Sequence, residues 1–153
     1  MVCVGVVSAI LGKRSIWTVP ASFVASMALG GVLGLNALFM PRAEAVIAIS
    51  LVALGLAIAT GGSASEFGRA VPPWLVILFV VFFGAAHGNA HGAEIPATAS
   101  PIAFTVGFLC GTSGLHLVGV LVGASALRHH WANTAMRFSG IFTAALGVGF
   151  LTR

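Results

Sequence analysis

His87, His91 and Glu94 stand at the end of an apolar stretch, FFGAAHGNAHGAEIP, residues 82–96. Imidazole nitrogens with a carboxylate form a ligand set for borderline divalent ions such as nickel, cobalt or zinc. Their i, i+4, i+7 spacing places all three within about 60° of arc on one face of a helix. His87 and Glu94 are separated by roughly 10 Å of rise, so one ion is most easily shared by neighbours in the trio. Two overlapping stations along a path fit the spacing equally. Ile95 precedes Pro96, which biases it out of helical geometry and sets Glu94 at the helix end. A second stretch, GFLCGTSGLHLVG, carries His116, with Thr112 four residues before it and Gly119 three after it on the same face. His129 and His130 adjoin Arg128 and are expected to be solvated.

The elements that carry these groups are set by an unusual composition. The chain has 153 residues, 59% of them hydrophobic and 7% charged, with a mean hydropathy of +1.10. A water-soluble domain carries roughly a quarter charged residues, so the bilayer is the expected solvent. Spanning helices suit it because they satisfy their own backbone hydrogen bonds. Apolar segments run over residues 17–38, 43–60, 74–93, 102–127 and 134–151. The opening segment, 1–11, is only about 16 Å long as a helix, half of a crossing. It lacks a preceding basic segment and a small-residue cleavage site, which argues against a signal peptide. The expectation is an all-α polytopic membrane bundle of one domain, with five full spans and a truncated first span.

Basic residues set the orientation. Lys13, Arg14, Arg69, Arg128 and Arg137 lie in or beside the odd connections, against Arg42 and Arg153 on the other side. Five against two puts the odd connections in the cytoplasm and Glu94 outside. Trp17, Trp74 and Trp131 each follow a basic residue and fit the same interface. The scattered charges argue against nucleic acid as a partner. The partners expected are the lipid bilayer and a divalent ion, and the sequence leaves a homo-oligomer open. Cys3 and Cys110 make no disulfide framework, and Gly61–Ser65 reads as a short flexible connector.

Gly84, Gly88 and Gly92 form a small-residue row that lets another helix approach. The histidines lie about 100° round from it and should face the bundle interior. His87 is thirteen residues from Trp74, and His116 is eleven from Leu127. The two are therefore about 20 and 17 Å deep on straight helices, similar enough to cooperate. Ionisable groups at membrane depth cost a few kcal/mol each, about 2.5–3.5 on insertion scales, so pathways and sites are where they are expected. A histidine that merely bridges two helices by a hydrogen bond stays open as a reading, more for His116 taken by itself than for the trio.

At these residues the sequence resembles the HupE/UreJ family of small membrane permeases for nickel and cobalt. The resemblance covers nearly the whole chain, including MVCVGVVSAILGKRSIWTVPASF and LGLNALFMPRAEAVIAISLVALGL. Its most specific part is HGNAHGAEIP with GFLCGTSGLHLVG. It implies that His87, His91, Glu94 and His116 match polar intramembrane positions of the family. It also implies that the chain moves a divalent transition metal across the cytoplasmic membrane. One departure stands out. The family's first helix carries a His-Pro…Gly…Asp-His motif that supplies ligands in related permeases, and this chain has no aspartate. Its first ten residues look like the part just downstream of that motif, in agreement with a half-length first span.

An external ion would meet Glu94, pass to His91 and His87, and reach His116 deeper in. Neutral imidazole binds metal and imidazolium does not, so uptake is expected to fall below about pH 6. Uptake indifferent to pH between about 5 and 7.5 would count against a histidine relay. An enzyme is not expected. Zinc proteases with two histidines four apart place a glutamate after the first, and here that position is Gly88. No phosphate-binding GxxxxGK[ST] loop is present, and no permanently bound cofactor is implied. The alternative is an accessory helix bundle, or a haem-binding subunit using His87 and His116, without transport.

Overall fold

In a computed structural model, which describes residues 1–38, 40–60, 71–96 and 98–152, each apolar run is an α-helix. They are α1 (Val2–Leu11), α2 (Ser15–Leu35), α3 (Ala43–Thr60), α4 (Pro73–Ala93), α5 (Pro101–Ala126) and α6 (His130–Leu151). No strand occurs among the described residues. The helices α2 to α6 are long and apolar enough to cross a membrane, and α1 is the short helix the sequence led us to expect. The chain is a polytopic helical bundle. The connector at 61–65, Arg69 and Arg153 lie outside the described residues.

Local chemistry sets most of the helix ends. Pro73 and Pro101 occupy the first turns of α4 and α5, where a missing N–H leaves no carbonyl unpaired. The Ser100 side chain caps α5 by accepting from the Ala103 N–H at 3.4 Å. Two boundaries differ from the sequence expectation by three residues or more. The second span stops at Leu35 instead of Leu38. Asn36 donates its side-chain amide to the Val32 carbonyl at 2.7 Å, and Ala37 turns left-handed at φ 57°. The last span begins at His130 instead of Thr134, because nothing in His130–Asn133 opposes helix and His129 supplies an extended N-cap.

In a chain so apolar, hydrophobicity does not distinguish inside from outside. Large side chains such as Leu29, Ile102, Phe138 and Phe142 lie on the outer surface, as lipid-facing groups do. The buried faces are carried instead by small and polar residues. Those of α5 are Thr112, His116, Gly119, Gly123 and Ala126, and those of α6 are Met136, Gly140, Ala144 and Gly147. Their spacing of three and four is one helical stripe.

The principal pairings are α2 with α4, α3 with α6 and α1 with α5. Each is a backbone-to-backbone approach through glycine. On α4, Gly88 faces Met27 and Gly92 faces Gly31, so α2 and α4 run parallel. Gly5 meets Gly119 and Gly123 meets Val6, so α1 and α5 are also parallel. Gly140 meets Gly55 and Gly147 meets Val52, so α3 and α6 are antiparallel. Arg137, which the sequence offers as a topology signal, also joins that last pair. Its Nε donates to the Ala59 carbonyl at 2.8 Å, at the C-terminal end of α3, where the helix dipole favours a cation.

Candidate metal path

The glycine row of α4 fixes how that helix is rotated, and the rotation decides where the histidines go. With Gly84, Gly88 and Gly92 seated on Phe23, Met27 and Gly31 of α2, His87 and His91 come to the seam beside α5. The His87 and His91 rings are 6.0 Å apart between centroids. The Nδ1 atom of His91 lies 3.9 Å from the solvent-exposed carboxylate of Glu94, the residue at the C-terminal end of α4. The His91 ring also meets Phe108 of α5, at 4.5 Å between centroids.

Deeper in, the ring of Phe23 stands against both remaining histidines, at 6.0 Å from His87 and edge-on at 5.2 Å from His116. His116 is 2% exposed and Thr112 is 4% exposed, so the hydroxyl and the imidazole share one buried face as their spacing requires. The backbone of His116 rests on Gly5 of α1, which gives that short helix a part in placing it.

The four groups singled out in the sequence therefore form a series of neighbours, Glu94, His91 and His87, with His116 reached through the Phe23 ring that contacts both it and His87. They do not form one cage. Among the described residues no three histidine, cysteine, aspartate or glutamate side chains converge on one point. Both arrangements allowed by the spacing, one ion shared by neighbours and two overlapping stations, are compatible with this geometry. Nδ1 of His87 and both ring nitrogens of His116 are buried without a hydrogen-bond partner. A buried polar group left so costs about 1–3 kcal/mol. A helix-bridging role for His116 needs a partner on the neighbouring helix, and the described residues supply none.

Two voids adjoin the series. Beside His91 is a pocket of about 10 Å³ walled by Met27, Gly31, Gly88, Phe104 and Phe108. That volume is close to the minimum for one water molecule. At the other end a groove of about 430 Å³ lies between α2 and α5, running from Trp17 past Ala21 and Ala25 to His116 and Ser113. His129 and His130 lie outside the series and are exposed, with His129 stacked on Trp131 at 6.4 Å.

Three residues at the site carried no role in the sequence. Phe23 and Phe108 are two of eleven phenylalanines, and nothing local marks them. Asn89 had a signal, a lone amide within the HGNAHG stretch. It is 4% exposed and faces away from the histidines. It accepts from the Met40 N–H at 2.8 Å and donates to the Leu38 carbonyl at 2.7 Å, tying the α2–α3 turn to α4. Asn89→Ala is expected to destabilise the bundle by about 1–3 kcal/mol, since it removes two hydrogen bonds worth about 0.5–1.5 kcal/mol each. Thermal unfolding in detergent should register the loss, and an unchanged midpoint would show that the clasp is idle.

Comparison with known proteins bears on this site. Residues 1–150 match the family model described as HupE / UreJ protein. Over 152 residues the chain is 34% identical to "Protein HupE" of Rhizobium leguminosarum bv. viciae, covering 99% of this chain and 75% of that protein. No solved structure matches the chain.

Proposed function

The chain belongs to the HupE/UreJ family of nickel/cobalt transporter-type membrane proteins, and from that premise we propose that it carries nickel or cobalt across the cytoplasmic membrane along Glu94, His91, His87 and His116. The observation that carries this reading is the linear order of the four groups, with neighbours close at the Glu94 end and unpartnered imidazole nitrogens buried at the other.

Each group has a distinct part. Glu94 is exposed, so its charge attracts a hydrated cation to the mouth. The pocket at His91 is too small for a hydrated ion, so entry requires exchange of water for protein ligands. His91 and His87 lie one turn apart on α4, which lets an ion take the second imidazole before releasing the first. Sequential exchange keeps each binding step shallow, as conduction through a pore demands. His116 receives the ion beyond Phe23, at the head of the α2–α5 groove. In the proposed orientation the turns at 12–14 and 127–129 face the cytoplasm, so the groove opens toward Trp17 at the inner interface.

Radioactive nickel and cobalt flux into proteoliposomes holding the purified chain tests this directly. Uptake above protein-free vesicles, competed by the other of the two ions and lower at pH 5 than at pH 7.5, is the expected result. Vesicles indistinguishable from protein-free ones would overturn the reading. A Soret band on the purified protein would favour the haem alternative instead.

A further inference from the structure

Between His87 and His116 the path is crossed by a side chain that can ligate nothing. Phe23 is 3% exposed, and its ring touches both imidazoles. No direct ring contact joins His87 to His116 among the described residues, and Phe23 is the ring in contact with both. Two voids adjoin this stretch, with Ala28 on the wall of each and Phe23 on neither. The small pocket belongs to His91 and the Glu94 end, and the large groove to His116 and the Trp17 end.

We propose that the Phe23 ring is a septum, dividing the path into an outer station of Glu94, His91 and His87 and an inner station at His116. An ion crosses only when that ring turns aside. The inference rests on the proposed metal path and adds the residue that keeps its two ends from being open together.

The construction of α2 suits a moving side chain on a fixed backbone. The Phe23 carbonyl accepts from the Ser26 hydroxyl at 2.9 Å, and its backbone faces Gly84 of α4 at near contact. The main chain at this point is therefore held on α4. One turn earlier, Pro20 lies inside the helix and cannot donate to the Ile16 carbonyl, so the ladder lacks a rung there. Such a gap is where helices bend. The groove beside His116 is walled along α2 by Ala21, Ala25 and Ala28, small residues that leave it open. An aromatic ring also presents an apolar barrier to a hydrated cation. Hydrophobic constrictions of that kind close channels by excluding water.

Accessibility to a small charged thiol reagent tests the septum without reference to transport. The two free cysteines, Cys3 and Cys110, are first replaced by alanine. Reporter cysteines are then placed one at a time, as Glu94→Cys and as His116→Cys. Reagent is applied in metal-free buffer to the face from which cysteine 94 reacts. With Phe23 present, cysteine 116 is expected to stay unmodified while cysteine 94 is fully labelled. Phe23→Ala is expected to expose cysteine 116 to the same reagent from the same face. Phe23→Leu, which keeps more of the core volume, carries the comparison if the alanine variant does not elute as folded protein. Labelling of cysteine 116 with Phe23 intact overturns the septum outright. So does protection of cysteine 116 that persists in the folded variants. Nickel flux plays no part in this readout, so an inactive transporter and an absent septum are told apart.

Discussion

Nickel uptake is expected to fall by more than about tenfold when His91 is replaced by alanine, with the amount of protein in the membrane unchanged. Removing even an outer-shell partner of a metal ligand costs about 10–100-fold in affinity, and His91 is assigned as a ligand itself. It has the tightest position in the series. It lies 3.9 Å from Glu94, 6.0 Å between ring centroids from His87, and lines the pocket through which a stripped ion would pass. Its loss breaks the series at the first exchange of water for nitrogen. The variant should still fold, because the His91 side chain is 40% exposed and, among the described residues, joins no helix pair by a hydrogen bond. His129→Ala is the matched control, an exposed histidine outside the path, and should transport as the parent does. Parent-like initial rates in His91→Ala vesicles would remove His91 from the path.

Gly88→Ala is the second change with a large expected effect, and its sign is decided by two opposed magnitudes. Alanine is favoured over glycine in a helix interior by about 1 kcal/mol, which alone would stabilise α4. A β-carbon at position 88, however, would lie 2.7 Å from the Met27 carbonyl carbon and 2.9 Å from the Gly31 nitrogen. Those are backbone atoms and cannot rotate away, so α2 and α4 must separate. Overpacking costs about 1–3 kcal/mol where side chains can yield, and here they cannot. We expect a lower unfolding temperature in detergent and loss of transport together, since the same seam sets the rotation of His87 and His91. Gly111→Ala is the same chemical change on α5 with nothing within 4 Å of the new methyl group, and should be neutral or slightly stabilising. Equal melting of the two variants would mean that α2 and α4 are not held by this glycine row.

The sequence carried much of this account because the bilayer restricts what a chain can do. Long apolar runs must be helices, and the runs over 43–60 and 74–93 match α3 and α4 to within one residue. The glycine stripe gave the buried face of α4, and the i, i+4, i+7 spacing gave the common side of His87, His91 and Glu94. The partner of that stripe was hidden. Gly31 and Met27 are not marked against the other small and apolar residues of α2, and the pairing is a tertiary choice. The place of Phe23 was hidden for the same reason, since a ring between two histidines on different helices has no local spacing. The end of α2 slipped by three residues because a side-chain amide and a left-handed alanine, rather than a proline, stop it.

The central claim, that the ion is held by imidazole nitrogen along this line, is tested most directly by X-ray absorption spectroscopy of nickel on the purified chain. Nickel coordinated by nitrogen and oxygen, with an imidazole scattering signature that weakens in the His87→Ala, His91→Ala double variant to what His116 alone supplies, is the predicted result. Nickel coordinated by sulfur from Cys3 or Cys110, or an imidazole signature unchanged in the double variant, would contradict it.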